Sequence, residues 1–327
     1  MKKYALVLSL VLFASCVVLE PAYEKSYEKS AADSGSCGCS SGSLELADDT
    51  NNKCIFSETP VFDCKSTCNY NSANCKKTCG PQDISSQCRK DCSRQFNACV
   101  MECRYPMVLV KGGCFQMGDQ FGDGKRNELP VHKVCLSDFY IGKYLMTQDL
   151  WREIMANNPS EFEGDNKPIE NVSWDDIQRF LIKLNDMTGK RYRLPTEAQW
   201  EFACRDRGKK IKYAGTNDPE ELNDYAWLRY NGYEKTHPVG QRRPNELGLY
   251  DMTGNVDEWV HDIYAEEGYS RLPENDPVWE GAGNYRVVRG GSFIKYPQDA
   301  RCTFRDNGAS LVSGLRFVGF RLERNNE

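Results

Sequence analysis

Histidine is nearly absent from this chain. Its 327 residues include three, at positions 132, 237 and 261. No His-Glu-x2-His pair, no Gly-x-Ser-x-Gly elbow and no phosphate-binding glycine loop occurs. The usual zinc-protease, serine-hydrolase and nucleotide-binding signatures are therefore excluded. Positive charge is not in excess either: 42 Lys and Arg face 47 Asp and Glu, a net charge of -5 with a pI near 5.5. That balance gives no general basic surface, so no nucleic-acid partner is expected. After the first few residues no stretch is apolar enough to span a membrane, which takes about 20 apolar residues.

Cysteine, by contrast, is plentiful: 16 residues, most of them before Tyr105. The start, Met1-Lys-Lys3 followed by an apolar run from Tyr4 to Ser15, reads as a secretory signal. Phe13-Ala-Ser-Cys16 resembles a bacterial lipobox, with Cys16 as the lipidated residue and residues 1–16 as the signal. The plainer alternative is an ordinary cleaved signal with Cys16 incidental. Both send the chain to a compartment where disulfides persist. The expected location is the cell envelope or, more narrowly, the outer membrane, as an exported lipoprotein held to the membrane by a lipid anchor.

Residues 17–60 read as a flexible tether. Tyr23-Glu-Lys-Ser26 is repeated at once as Tyr27-Glu-Lys-Ser30, and Ser, Gly and Asp then dominate to Thr50. Such composition cannot bury enough apolar surface to fold alone. Cys37 and Cys39 form either a strained redox pair or, in part, a link to Cys54; the pattern leaves both open.

Residues 61–105 hold eight cysteines, at 64, 68, 75, 79, 88, 92, 99 and 103. Each set of four has the spacing Cys-x3-Cys-x6-Cys-x3-Cys, which lines one stripe of a helix turning by ~100° per residue. Gly80-Pro81-Gln82-Asp83 between the sets reads as a turn. Two antiparallel helices then bring together Cys64 with Cys103, Cys68 with Cys99, Cys75 with Cys92, and Cys79 with Cys88. With few aliphatic residues for a core, such bridges would substitute for one. The alternative use of paired thiolates is Cu(I) storage; export favours oxidation and the stapled hairpin.

From 106 to 327 the texture becomes globular. Ser173 before Trp174-Asp-Asp176, and the capping box Thr196-Glu-Ala-Gln199, predict helix starts, as does Thr147. Ile177, Phe180, Leu181 and Leu184 fall on one helical face. Trp200 and Ala203 are expected to face the core. Five segments carry a resemblance. They are Met107-Val-Leu-Val-Lys-Gly-Gly-Cys-Phe-Gln-Met-Gly118, Arg193-Leu-Pro-Thr-Glu-Ala-Gln-Trp-Glu-Phe-Ala-Cys-Arg205, Gly248-Leu-Tyr-Asp-Met-Thr-Gly-Asn-Val-Asp-Glu-Trp259, Arg286-Val-Val-Arg-Gly-Gly-Ser-Phe293 and Gly319-Phe-Arg321. Together they resemble the formylglycine-generating enzyme family, the sulfatase-modifying factor fold. The resemblance implies an α+β, irregular, C-type-lectin-like domain over 106–327, here preceded by the stapled hairpin.

The same resemblance carries expectations about residues. It implies a structural Cys204–Cys302 bridge, which leaves Cys114 and Cys135 to pair with each other. The family's oxidoreductase chemistry uses Cu(I) on two thiolates just after Arg-Gly-Gly-Ser; here Lys295 holds the first place and Ala300 falls near the second. Neither is a soft ligand. A second branch of the family uses iron on a His-x3-His-x-Glu set, which is missing here. Neither copper nor iron is therefore expected, and whether any catalysis remains is open. Ca²⁺ is implied at Asp251, Gly254, Val256 and Glu258, as a stabiliser. A metal-free turn held by Asp251 and Asn255 is the alternative, and Asp257 stands where the family commonly has Trp. Arg289, Arg305 and Arg321 are expected to pair buried carboxylates. Ser292 and Lys295 would line the vestigial pocket, with Tyr296, Trp227 and Trp259 as candidate walls, although burial in the core suits both tryptophans. The expected function is a non-catalytic binding or scaffold module for a protein, peptide or glycan at the cell envelope. The alternative is a divergent enzyme of the family modifying an exported protein or peptide.

Overall fold

In the computed structural model the second set of cysteines lies on helix α1, Ser86–Arg104. The residues described are 86–310 and 314–326, with 44–45, 55–56, Cys68 and Cys75. Cys16, Cys37, Cys39, Cys54, Cys64 and Cys79 lie outside them, as do the signal segment and most of the tether. Within residues 17–60, Leu44–Glu45 pairs antiparallel with Ile55–Phe56. No helix among the described residues is long and apolar enough to cross a membrane.

Cys68 is bonded to Cys99 and Cys75 to Cys92, so α1 is cross-linked to the preceding arm along its length. Cys88 and Cys103 are disulfide-bonded too. The opposite face of α1 is fastened to the domain that follows. Arg94 donates to the backbone and side chain of Asp186, and Asn97 to the Met187 carbonyl. Arg104 reaches Asp149 and Glu153. Met101 and Tyr105 enter the core itself.

Three small sheets follow. β1 (Met107–Val110), β4 (Phe139–Gly142) and β9 (Glu323–Asn325) form one, in the order β9-β4-β1, so the two ends of the domain meet on β4. β2 (Gly113–Met117) and β3 (His132–Leu136) pair antiparallel, with Cys114 opposite Cys135 and bonded to it. The third sheet runs β8-β5-β6-β7, from β5 (Asp257–Ile263), β6 (Tyr285–Arg289), β7 (Asp306–Ser310) and β8 (Val318–Gly319).

Of helices α2 (Gln148–Met155), α3 (Trp174–Thr188) and α4 (Glu197–Cys204), α3 packs on α1 and α2, and α4 lies against β2, β3, β5 and β6. Ser173 and Thr196 accept the Asp176 and Gln199 amides, and both close capping boxes. Thr147 occupies the cap position of α2 without capping it; its hydroxyl turns to Asp149 instead. The inward face of α3 meets Trp151, Trp259, Val318 and Phe320 in one core cluster. A second cluster gathers Phe115, Trp200, Phe202, Ala203 and the Cys204–Cys302 disulfide. Each such large apolar side chain contributes about 1.5–3 kcal/mol on burial.

Helix α4 is buried on all sides, including Glu197 and Glu201. Unpaired carboxylates there would be prohibitive. Arg305 clamps Glu197 with two nitrogens, Arg289 reaches both acids, and Arg205 reaches Glu201. Arg289 also donates to the Cys302 and Thr303 carbonyls, which fixes the segment behind Arg-Gly-Gly-Ser.

Candidate functional site

The loop from Asp251 to Glu258 is the foundation of the site. Asp251, Gly254 and Asn255 all have left-handed backbones, with φ of 55°, 86° and 64°. At Gly254 a Cβ would lie 2.5 Å from the Trp227 carbonyl, so only glycine fits. Asn255 is fully buried and ties three segments together. Its amide donates to Trp227 O, its side chain exchanges two hydrogen bonds with the His237 backbone, and its carbonyl accepts the Phe293 amide. The loop thus sets the segment after Arg-Gly-Gly-Ser against the segment 227–237.

The four residues implied as calcium ligands occupy this loop. Asp251 is buried and accepts the Gly240 amide at 2.8 Å. Burial pushes its carboxyl up to about 6, against the pull of Arg321. Glu258 gives both oxygens to Arg321, at 2.6 and 2.8 Å, and both side chains are fully buried. Arg321 also donates to the carbonyls of Gly142 and Tyr250. Two carboxylates against one guanidinium leave a negative charge uncompensated. Hard oxygens with that excess are of the kind that would suit Ca²⁺.

Above this loop lies the place of the expected oxidase pocket. Lys295 donates to Asp306 at 2.7 Å. Ala300 is fully buried, and Cys302 is held by its disulfide to Cys204. Beneath Lys295 is Asp257, 1% exposed. Burial pushes its carboxyl up to about 7, with Lys295 opposing. Burial alone would lower the Lys295 pKa, but Asp257 and Asp306 outweigh it and raise it. Ser292 is fully buried as well. Neither the Asp257 oxygens nor the Ser292 hydroxyl has a hydrogen-bond partner of good geometry, although the two residues are neighbours. The pocket that the sequence suggested for Ser292 and Lys295 is thus closed over by an ion pair, with a protonatable acid below. Asp257, where the family commonly has Trp, was the visible signal; its burial near Lys295 was not.

An exposed face surrounds that ion pair. The Arg229 amide donates to the Lys295 carbonyl, and its guanidinium lies 5.4 Å from the Tyr296 ring centroid. Tyr296, Tyr230 and Tyr233 are 49%, 47% and 79% exposed. Tyr233 and Glu234 have φ of 52° and 53°, a strained conformation for residues with a Cβ. Trp227 stacks on His237 at 3.8 Å and carries Arg242 at 3.6 Å. Trp259, in contrast, is core: it is fully buried and donates to the Val172 carbonyl. Arg229, Tyr230, Tyr233, Asn255 and Arg242 were not singled out as binding residues in the sequence, because loop contacts far apart in the chain bring them together.

Short strands and long ordered loops gathered on the Arg-Gly-Gly-Ser segment define a C-type-lectin-like α+β protein of the formylglycine-generating enzyme kind. Residues 96–326 match the sulfatase-modifying factor enzyme 1-like domain, and the chain belongs to that family. It is similar to the chaperone protein LppX of Paenibacillus barcinonensis, 32% identical over 283 residues, covering 69% of this chain and 92% of that one. The formylglycine-generating enzyme of Thermomonospora curvata is 32% identical over 287 residues, covering 64% of this chain and 92% of its own. Among solved structures, Treponema denticola variable protein 1 matches with a TM-score of 0.63 at 30% identity, over 68% of this chain and 95% of that one.

Proposed function

We propose that this protein is a non-catalytic, polypeptide-binding member of its family, exported and tethered at the cell envelope through a lipid on Cys16. One observation carries the reading: the two thiolate places of the oxidase are filled by Lys295, ion-paired to Asp306, and by the buried Ala300. The remaining sulfur, Cys302, is committed to Cys204. The binding face is Arg229, Tyr230, Tyr233 and Tyr296. Tyr and Arg are the residues that most often dominate protein interfaces, and a rigid tyrosine binds at low entropic cost. Similarity to a protein named as a chaperone supports a polypeptide over a glycan. Ca²⁺ at Asp251 and Glu258 would stabilise the loop beneath.

The test has two arms. A Cys-x-Pro-x-Arg peptide incubated with the protein and copper keeps its thiol; aldehyde formation would overturn the reading. The protein also suppresses aggregation of an exported enzyme refolding from denaturant, and Tyr233→Ala with Tyr296→Ala removes most of that protection. Equal protection by the double variant would displace the ligand from this face. For the ion, melting in calcium is expected a few degrees above melting in chelator, and Asp251→Asn should abolish the difference; identical curves for the unmodified protein would rule out bound calcium.

A further inference from the structure

The stapled hairpin has a feature that a purely structural cross-link does not need. Cys99 and Cys103 lie one turn apart on α1 and face Cys68 on the other arm. The three sulfur atoms all lie within 4.8 Å of one another. Cys68 is bonded to Cys99, yet its Sγ is only 3.7 Å from the Sγ of Cys103, which belongs to a second disulfide. Two bridges therefore meet at one point.

That closeness is held by the core. Arg94 and Asn97 fix α1 to α3, Arg104 fixes it to α2, and Met101 and Tyr105 are buried. Cys68 is fully buried, whereas Cys99 and Cys103 are half-buried. An external thiol is shielded from Cys68; the sulfur of Cys103 is already beside it. Such placement makes an internal attack far faster than one from solution.

We propose that Cys68, Cys99 and Cys103 form a thiol–disulfide exchange site whose substrate is a dithiol reductant. The reductant opens the bridge of Cys103 and is itself oxidised to a disulfide, leaving Cys103 as a thiolate and its former partner as a thiol. That thiolate attacks the Sγ of Cys68. The Cys68–Cys103 bond forms, the Cys68–Cys99 bond breaks, and the electron pair leaves on Cys99, which takes up a proton. The number of disulfides does not change in this second step. The thiol enters at Cys103 and emerges one turn away at Cys99, on the same anchored helix.

Limited reduction of the full oxidised chain with dithiothreitol, followed by acid quench, alkylation and peptide mapping, tests this. The partly reduced protein should contain a Cys68–Cys103 linkage with Cys99 alkylated. The Cys64→Ser/Cys103→Ser variant removes the attacking thiol together with the partner expected for it from the sequence. In it Cys99 should be alkylated about tenfold more slowly, because only attack from solution on the Cys68–Cys99 bridge remains. Two results would overturn the proposal. One is a partly reduced protein with Cys103 alkylated and Cys68–Cys99 intact; the other is an unchanged rate of Cys99 labelling in the double variant. The first readout uses the unmodified chain, so it stands even if the variant folds poorly.

Discussion

Glu170 shows what burial does to a single carboxyl. It has no exposed surface, and one oxygen accepts the Phe162 amide while the other has no partner. Loss of solvent pushes its pKa up to about 7, with nearby Glu161 adding to the rise and Lys167 opposing it. In the unfolded chain a glutamate titrates near ~4.3. The folded state therefore holds the proton more tightly, so this group's stability is present below about pH 4 and is lost as pH rises through about 7. Glu170→Gln should flatten that part of the pH profile and should be more stable than the unmodified protein at pH 8, by about 3–4 kcal/mol at most. Urea melts at pH 5 and pH 8 measure both; parallel shifts at the two pH values would mean that Glu170 is not the titrating group. Phe162 packs edge-on against Phe293, so the acid supports the segment after Arg-Gly-Gly-Ser through that ring.

At the scale of elements, the segment from Trp227 to His237 is built for position rather than stability. Asn231 pins it to Leu228 and Ala226, and Asn255 pins its end. Its tip holds Tyr233 in the left-handed region with most of the ring exposed. A residue with a Cβ pays roughly 1 kcal/mol or more for that conformation. Tyr233→Gly should raise the melting temperature while weakening protection of a refolding client, a trade of stability for binding. Thermal melts and the aggregation assay together decide; a glycine variant with lower stability would show that the ring is a packing residue. Elements of this kind also mark where the sequence stops being readable. The caps at Ser173 and Thr196 were legible because a cap is a contact between residues three apart. The inward stripe of α3 was legible for the same local reason. The loop face was not, because Arg229 and Tyr296 become neighbours only through the fold, where the Arg229 amide meets the Lys295 carbonyl. Glu258 was readable as an oxygen ligand by resemblance, and Arg321 as a partner of some buried acid; that they are each other's partner needed the fold.

At the scale of the whole molecule, the cysteine-rich segment and the globular domain share a core. The change of texture at residue 106 suggests a boundary there, yet the family match begins at 96 and takes in the second half of α1. Tyr105 is the joint. Its hydroxyl donates to the Tyr144 carbonyl at 2.8 Å and accepts the Leu322 amide at 3.0 Å. Its ring lies against Gly142 so closely that a Cβ there would meet the hydroxyl at 2.1 Å. One side chain thus links the end of α1 to β4 and to the C-terminal segment just before β9. Tyr105→Phe keeps the packing and removes only the hydroxyl, leaving a buried amide and a carbonyl without their partner. The expected cost is about 1–3 kcal/mol. If the hairpin and the domain unfold as one unit, the variant should melt in a single transition at lower temperature. Tryptophan fluorescence follows the domain, which contains all six tryptophans. Alkylation of the hairpin cysteines under mild reduction follows α1, and its midpoint should move by the same amount. A fluorescence shift with unchanged cysteine protection would separate the two and place the boundary back at residue 106.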